Sequence, residues 1–177
     1  MNPLIISCSL HPKSRSRILA ELMGSEIKKS DYIDMRDYPL PFCDGKATYG
    51  HELLPELKVK FENSSGIILA VPVYNYGLNS VVKNLVELIG DSWTNKPVAF
   101  ICTAGSKSSY LAPLGLMNSL MLDFRCFILP RYVYATASDF NEDRTKLENK
   151  KIQERLLQLK DDFLKFSKAL NKVKFDE

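Results

Sequence analysis

The sequence predicts an α/β fold: a doubly wound, five-stranded parallel sheet with strand order 2-1-3-4-5 and helices on both faces. Three observations predict it. Short apolar runs alternate with segments of helical spacing along the chain, the pattern of repeated βαβ units. The run Gly66–Val71 is long enough for a strand buried on both faces and too short for a typical helix. The length of 177 residues suits one domain spanning 1–177, with no internal repeat or linker.

Leu4 to Ser9 reads as the first strand, and the polar loop Leu10 to Ser14 leads into a helix from Arg15 to Lys29. Ile18, Leu19, Leu22, Met23 and Ile27 share one side of that helix. Tyr32 to Met35 is a short second strand, and Pro39, Pro41, Asp44 and Gly45 mark a long loop after it. An amphipathic helix from His51 to Asn63 follows, with Leu54, Leu57 and Phe61 inward. Ile67 to Val71 is the third strand, which Pro72 is expected to end because it brings no backbone donor. Val81 to Ile89 is the third helix, and Val98 to Thr103 the fourth strand. A helix from Tyr110 to Leu122 comes next, its start shifted toward Ala112 by Pro113. Arg125 to Tyr134 is the fifth strand, with Pro130 as an interruption or an edge marker. The last helix, Asp143 to Leu170, carries one apolar stripe through Ile152, Leu156, Leu159, Phe163, Phe166 and Leu170.

Composition narrows the function. Hydrophobic content of 45% and charged content of 25% are those of an ordinary globular protein. A net charge of +3 mildly favours an anionic ligand, but the basic residues of the C-terminal third are interleaved with acidic ones, so no nucleic-acid partner is expected. Cys8, Cys43, Cys102 and Cys126 lack CxxC spacing and a histidine cluster, which argues against a zinc or disulfide framework and for a reducing, cytoplasmic setting. Cys8 and Cys102 sit in apolar runs and read as buried small hydrophobes. Ile5-Ile6-Ser7-Cys8 loosely matches a lipoprotein box, but no positive residue precedes it, so it reads as strand. With no stretch of about 18 apolar residues, no membrane span is expected.

Three unusual loops follow strands one, three and four, which are neighbours in a 2-1-3-4-5 sheet. The loops should therefore converge on one cleft. The first, Ser9-Leu10-His11-Pro12-Lys13-Ser14-Arg15-Ser16-Arg17, enters a helix N-terminus. Free N–H groups, the hydroxyls of Ser9, Ser14 and Ser16, and the charge of Arg15 or Arg17 suit an anion there; a plain helix cap at Ser14 would explain one serine but not three hydroxyls with flanking cations. No glycine is present, so it is neither a Walker loop nor a dinucleotide fingerprint. The second loop, Pro72-Val73-Tyr74-Asn75-Tyr76, offers aromatic walls for a planar ring, or a tyrosine pair for a surface or subunit contact. The third, Thr103-Ala104-Gly105-Ser106, is small and flexible; Gly105 permits close backbone approach to a planar ring, although a plain turn is the commoner meaning of such a loop.

Together these loops resemble the NAD(P)H-dependent FMN reductase family of flavodoxin-like proteins. The family's first motif, roughly Gly-Ser-x-Arg-x-x-Ser-x-Asn, corresponds to Cys8 through Ser16. Its second, roughly Pro-Glu-Tyr-Asn-x-Ser-x-Pro-Gly-x-Leu-Lys-Asn, corresponds to Pro72 through Asn84, with Pro72, Tyr74, Asn75, Lys83 and Asn84 in place. Thr103-Ala104-Gly105 matches its third turn, and Asp34-Met35-Arg36-Asp37 looks like the end of its second strand. The similarity runs from Leu4 to Tyr134.

The resemblance implies an FMN-dependent NAD(P)H oxidoreductase, with NADPH or NADH as donor and a quinone, azo compound, free flavin or metal complex as acceptor. It places the FMN phosphate on Ser9, Ser14 and Ser16 with Arg15 and His11 nearby, and the flavin ring against Pro72, Val73, Tyr74, Asn75, Tyr76, Thr103, Ala104 and Gly105. No side chain is assigned a catalytic role, because the flavin carries the chemistry. A homodimer or homotetramer is implied. Departures are His11 for the motif's arginine, Ser16 for its asparagine, Asn79-Ser80 for its Pro-Gly pair, and Ser108-Ser109 in the glycine-rich part of the third loop. A lost charged hydrogen bond, worth about 1.5–3 kcal/mol, would weaken FMN roughly ten- to a hundredfold unless Arg15 or Lys13 replaces it. Two other readings stay open: an FMN-binding electron carrier, and a flavin-less binding protein on the same fold.

Overall fold

The computed structural model describes residues 1–173. In chain order the elements are β1 (Leu4–Ser7), α1 (Arg15–Glu26), β2 (Asp31–Asp34), α2 (Leu54–Glu62), β3 (Ile67–Tyr74), β4 (Gly77–Leu78), α3 (Ser80–Ile89), β5 (Pro97–Ala104), α4 (Leu114–Phe124), β6 (Phe127–Ile128), β7 (Val133–Thr136) and α5 (Lys150–Leu170). The sheet runs β2-β1-β3-β5-β6, with β7 also on β5 and β4 folded back on β3. The expected order is therefore present, but seven strands replace five.

The alternation of side chains along each strand builds two apolar layers. Leu4, Ile6, Ile67, Leu69, Val71, Val98, Phe100 and Cys102 point to the layer formed with α2, α3 and α4. Ile5, Ile68, Ala70, Ala99 and Ile101 point to the layer formed with α1 and α5. Each fully buried Leu, Ile or Phe contributes roughly 1.5–3 kcal/mol. The α5 stripe buries Ile152, Leu156, Leu159 and Phe163 as its spacing predicts, whereas Leu22 of α1 lies exposed. At the amino end of β3, Gly66 lies so close to Pro97 and Phe163 that an added Cβ would stand 2.7 and 2.8 Å from their side chains.

Both extra strands have local causes. Pro72 does not end β3, because its carbonyl accepts the Asn79 N–H at 3.2 Å and it stays in register with Thr103 of β5. The strand continues to Tyr74, and Asn75 and Tyr76, at φ 50° and 60°, reverse the chain so that Gly77–Leu78 pairs antiparallel with Val73 and Tyr74. Two successive positive φ values are the requirement of a tight hairpin turn. On the far edge, Pro130 lies in a bulge that splits the predicted fifth strand. Phe127–Ile128 pairs with Pro97–Val98, then Val133–Thr136 pairs with Ile101–Ala104, so four residues of the edge oppose two of β5.

The last helix also starts later than predicted, at Lys150 rather than Asp143. Asn149 caps it, its side chain accepting the Lys151 N–H at 2.9 Å. The segment before it is a small hairpin closed by a Phe140–Leu147 bridge. Parallel β1, β3 and β5 all end on one side of the sheet. The chain goes outward from β1 to β2 and then crosses back to β3, which makes the β1/β3 boundary a topological switch point.

Candidate functional site

The loop after β1 keeps its shape without glycine. The Ser9 hydroxyl accepts the His11 N–H at 3.2 Å, and His11 Nδ1 accepts the Lys13 N–H at 3.0 Å. Ser14 is the N-cap of α1, its hydroxyl accepting the Arg17 N–H at 3.2 Å. Ser16 is fully buried, and its hydroxyl lies 2.9 Å from that of Ser14. When Ser16 donates to Ser14, both lone pairs of the Ser14 oxygen are taken and its own proton is left to donate outward. Capping and ligand binding are thus compatible at Ser14. The first-turn N–H groups of α1 have no intrahelical acceptors and face the same end of the sheet.

The hairpin after β3 changes the aromatic slot that the sequence suggests. Tyr74 and Tyr76 are 53% and 70% exposed, and Asn75 and Tyr76 form the turn itself. What β3 presents to the strand ends is Pro72, Val73 and Tyr74.

The loop after β5, read from sequence as flexible, is held by tyrosines. Tyr134 donates to the Ser106 carbonyl at 3.1 Å, and Tyr132 donates to that of Tyr110. The Tyr110 and Tyr132 rings stack with centroids 5.0 Å apart. The hydroxyls of Ser106 and Ser108 lie 2.8 Å apart. An added Cβ at Gly105 would meet no atom within 4 Å, so the backbone there borders open space.

A cavity of about 290 Å³ lies where the three loops meet. Ser9, His11, Ser14, Arg15, Pro72, Val73, Tyr74, Thr103, Ala104 and Gly105 line it, together with Lys13 and Arg144. Of the residues predicted for the site, Ser16, Asn75 and Tyr76 lie outside this lining. Arg144 was not foreseen: it falls in the segment predicted as the start of the last helix. None of these lining residues is acidic, so Lys13, Arg15 and Arg144 meet there without a carboxylate among them. Burial, and then the nearby charge of Arg144, lower the Arg15 pKa. Arg15 Nε is buried without a hydrogen-bond partner. An anion held here would answer all of these features, and the ring-sized space beside backbone and a glycine suits a planar group.

Residues 1–141 match the model of the NADPH-dependent FMN reductase family. The chain belongs to that family. An NADH-dependent FMN reductase (SfnF) of Pseudomonas fluorescens strain Pf0-1 is 31% identical over 143 residues, covering 78% of this chain and 75% of the relative. An NAD(P)H-dependent FAD/FMN reductase of Geobacillus thermodenitrificans strain NG80-2 is 26% identical over 130 residues, covering 72% and 69%. Among solved structures, the flavoenzyme NAD(P)H:(acceptor) oxidoreductase FerB of Paracoccus denitrificans superposes with a TM-score of 0.77 at 20% identity, covering 95% of this chain and 97% of that one. The expected flavodoxin-like fold, the oxidoreductase class, and FMN with NAD(P)H as cofactor and donor are those of the family. No helix of the described residues is long and apolar enough to cross a membrane.

Proposed function

We propose that this reductase holds FMN in the cleft at the ends of β1, β3 and β5 and uses it to reduce a small acceptor at the expense of NAD(P)H. The observation that carries the reading is the convergence of three loops, distant in sequence, on one cationic cleft that no acidic side chain lines. Bound FMN supplies the hydride and electron chemistry between donor and acceptor.

The protein's own residues bind and orient. Ser9, Ser14 and Arg15 hold the phosphate at the start of α1, and buried Ser16 sets the direction of the Ser14 proton. Pro72, Val73, Thr103, Ala104 and Gly105 give the ring a wall of backbone and small side chains. Backbone N–H groups along that wall, which Pro72 lacks, would stabilise negative charge on a bound flavin ring. Tyr74 lines the cavity and Tyr76 stands exposed in the turn beside it, where an aromatic acceptor or a second protein copy would lie. The acceptor is a quinone, azo compound, free flavin or metal complex, the assembly a homodimer or homotetramer, and the setting cytoplasmic.

The test is NAD(P)H oxidation by the purified protein with and without added FMN, across these acceptors. The reading expects oxidation that requires FMN and an acceptor. Tight FMN binding with no NADH or NADPH oxidation would favour an electron carrier instead.

A further inference from the structure

We propose that Arg144, together with Arg15, forms a two-arginine clamp that selects a flavin bearing a terminal phosphomonoester. The inference rests on the FMN reading above and adds to it a residue from outside the matched region 1–141.

The hairpin before α5 builds both halves of the clamp. Its buried Phe140 lies under Arg15, whose guanidinium carbon is 5.9 Å from the ring centroid, a cation–π distance. Four residues later the same hairpin places Arg144 on the cleft wall. Arg144 sits at φ 56°, a left-handed conformation that residues other than glycine seldom adopt. The turn imposes it: the Asn141 carbonyl accepts the Arg144 N–H at 3.0 Å. The Asn141 side-chain oxygen accepts the Thr145 and Lys146 N–H groups, both at 2.9 Å. Asp139 anchors the base, accepting from the Thr136 backbone at 2.6 Å and from the Asn149 amide at 2.6 Å.

Among the described residues Arg144 and Arg15 have no ion-pair partner, although acidic side chains are plentiful on the surface. Two arginines that line one cavity beside the start of α1, with no carboxylate in the lining, disfavour each other until an anion arrives. A phosphomonoester carries close to two negative charges at neutral pH and three strong acceptor oxygens. It matches two guanidinium forks better than a phosphodiester or an uncharged ribityl hydroxyl does.

The experiment is a fluorescence titration of flavin-free protein with FMN, riboflavin and FAD, comparing wild type with R144Q and R15Q. Arg144 is exposed, so R144Q should melt with the wild type. The clamp predicts that R144Q weakens FMN roughly tenfold or more and leaves riboflavin unchanged, so that the preference for FMN over riboflavin collapses. R15Q should do the same. R144Q that binds FMN like wild type, or that loses FMN and riboflavin equally, overturns the clamp while the FMN reading stands. Wild-type protein that binds neither FMN nor riboflavin overturns both.

Discussion

The side-chain amide of Asn79 donates to the Cys8 carbonyl at 2.7 Å, joining the end of β1 to the start of α3 across 71 positions of sequence. Asn79 also donates its backbone N–H to Pro72 at 3.2 Å. One buried residue therefore ties the first cleft loop to the second, at a position where the family motif carries proline. Asn79→Ala removes a buried hydrogen bond worth about 0.5–1.5 kcal/mol net. The melting temperature should fall by about 2–4 °C for each kcal/mol lost. FMN affinity should fall in the same variant, because the link joins Cys8, the neighbour of Ser9, to Pro72. Thermal melts and flavin titration of one preparation check both.

Gly105 separates ligand space from protein stability. A Cβ added there would meet no atom within 4 Å. Gly105→Ala should leave stability within about 0.5 kcal/mol of wild type, the range of an unopposed surface change. It should also weaken FMN, because the added methyl occupies the space beside the ring. A denaturant curve with an unchanged midpoint and a lowered flavin affinity is the expected pair of results.

Burial pushes the Cys102 and Cys126 thiols up to about 12, and that of Cys8 further still. The thiolate is the species that attacks a thiol reagent, so these groups stay inert near neutral pH. Cys43, only partly buried, is the accessible one of the four. Native protein at pH 8 should release one equivalent of the Ellman chromophore quickly and the rest only on denaturation, with Cys43→Ser abolishing the fast phase.

Asp139 makes the Arg144 hairpin sensitive to acid. Burial raises its pKa, but the Thr136 backbone N–H, the Asn149 amide and the Thr136 hydroxyl outweigh burial and hold it below the usual aspartate value. A carboxyl depressed in the folded state contributes stability above its unfolded pKa and loses it as pH falls through the folded one. Asp139→Asn should therefore be less stable than wild type at neutral pH, and the gap should close below about pH 4. Melting curves of both proteins at neutral and acidic pH test this.

The strands were legible because the apolar runs leading into Pro72 and through Val98–Thr103 allow little but a buried parallel strand. The switch point, and with it the place of the cleft, followed from strand order. Legibility ended where geometry depends on bonds between side chain and backbone. Pro72 looked like a terminator because its missing donor is visible in sequence, whereas its accepting carbonyl, used by Asn79, is not. The polar segment 143–149 read as the start of the last helix, yet Asn141, Asp139 and Asn149 spend their side chains on a turn and a helix cap. Arg144 was hidden by that substitution of turn for helix. The turn that Asn75 and Tyr76 make at positive φ was likewise hidden in the sequence: it leaves Tyr74 in the cavity lining and Tyr76 outside it.

The most direct test of the account is the visible spectrum of the purified protein after incubation with FMN and desalting. The cleft described here predicts a flavin spectrum retained at close to one FMN per chain, and its loss in Arg15→Gln. A wild-type protein that emerges colourless would contradict the account, leaving a reductase fold whose cationic cleft serves some other anion.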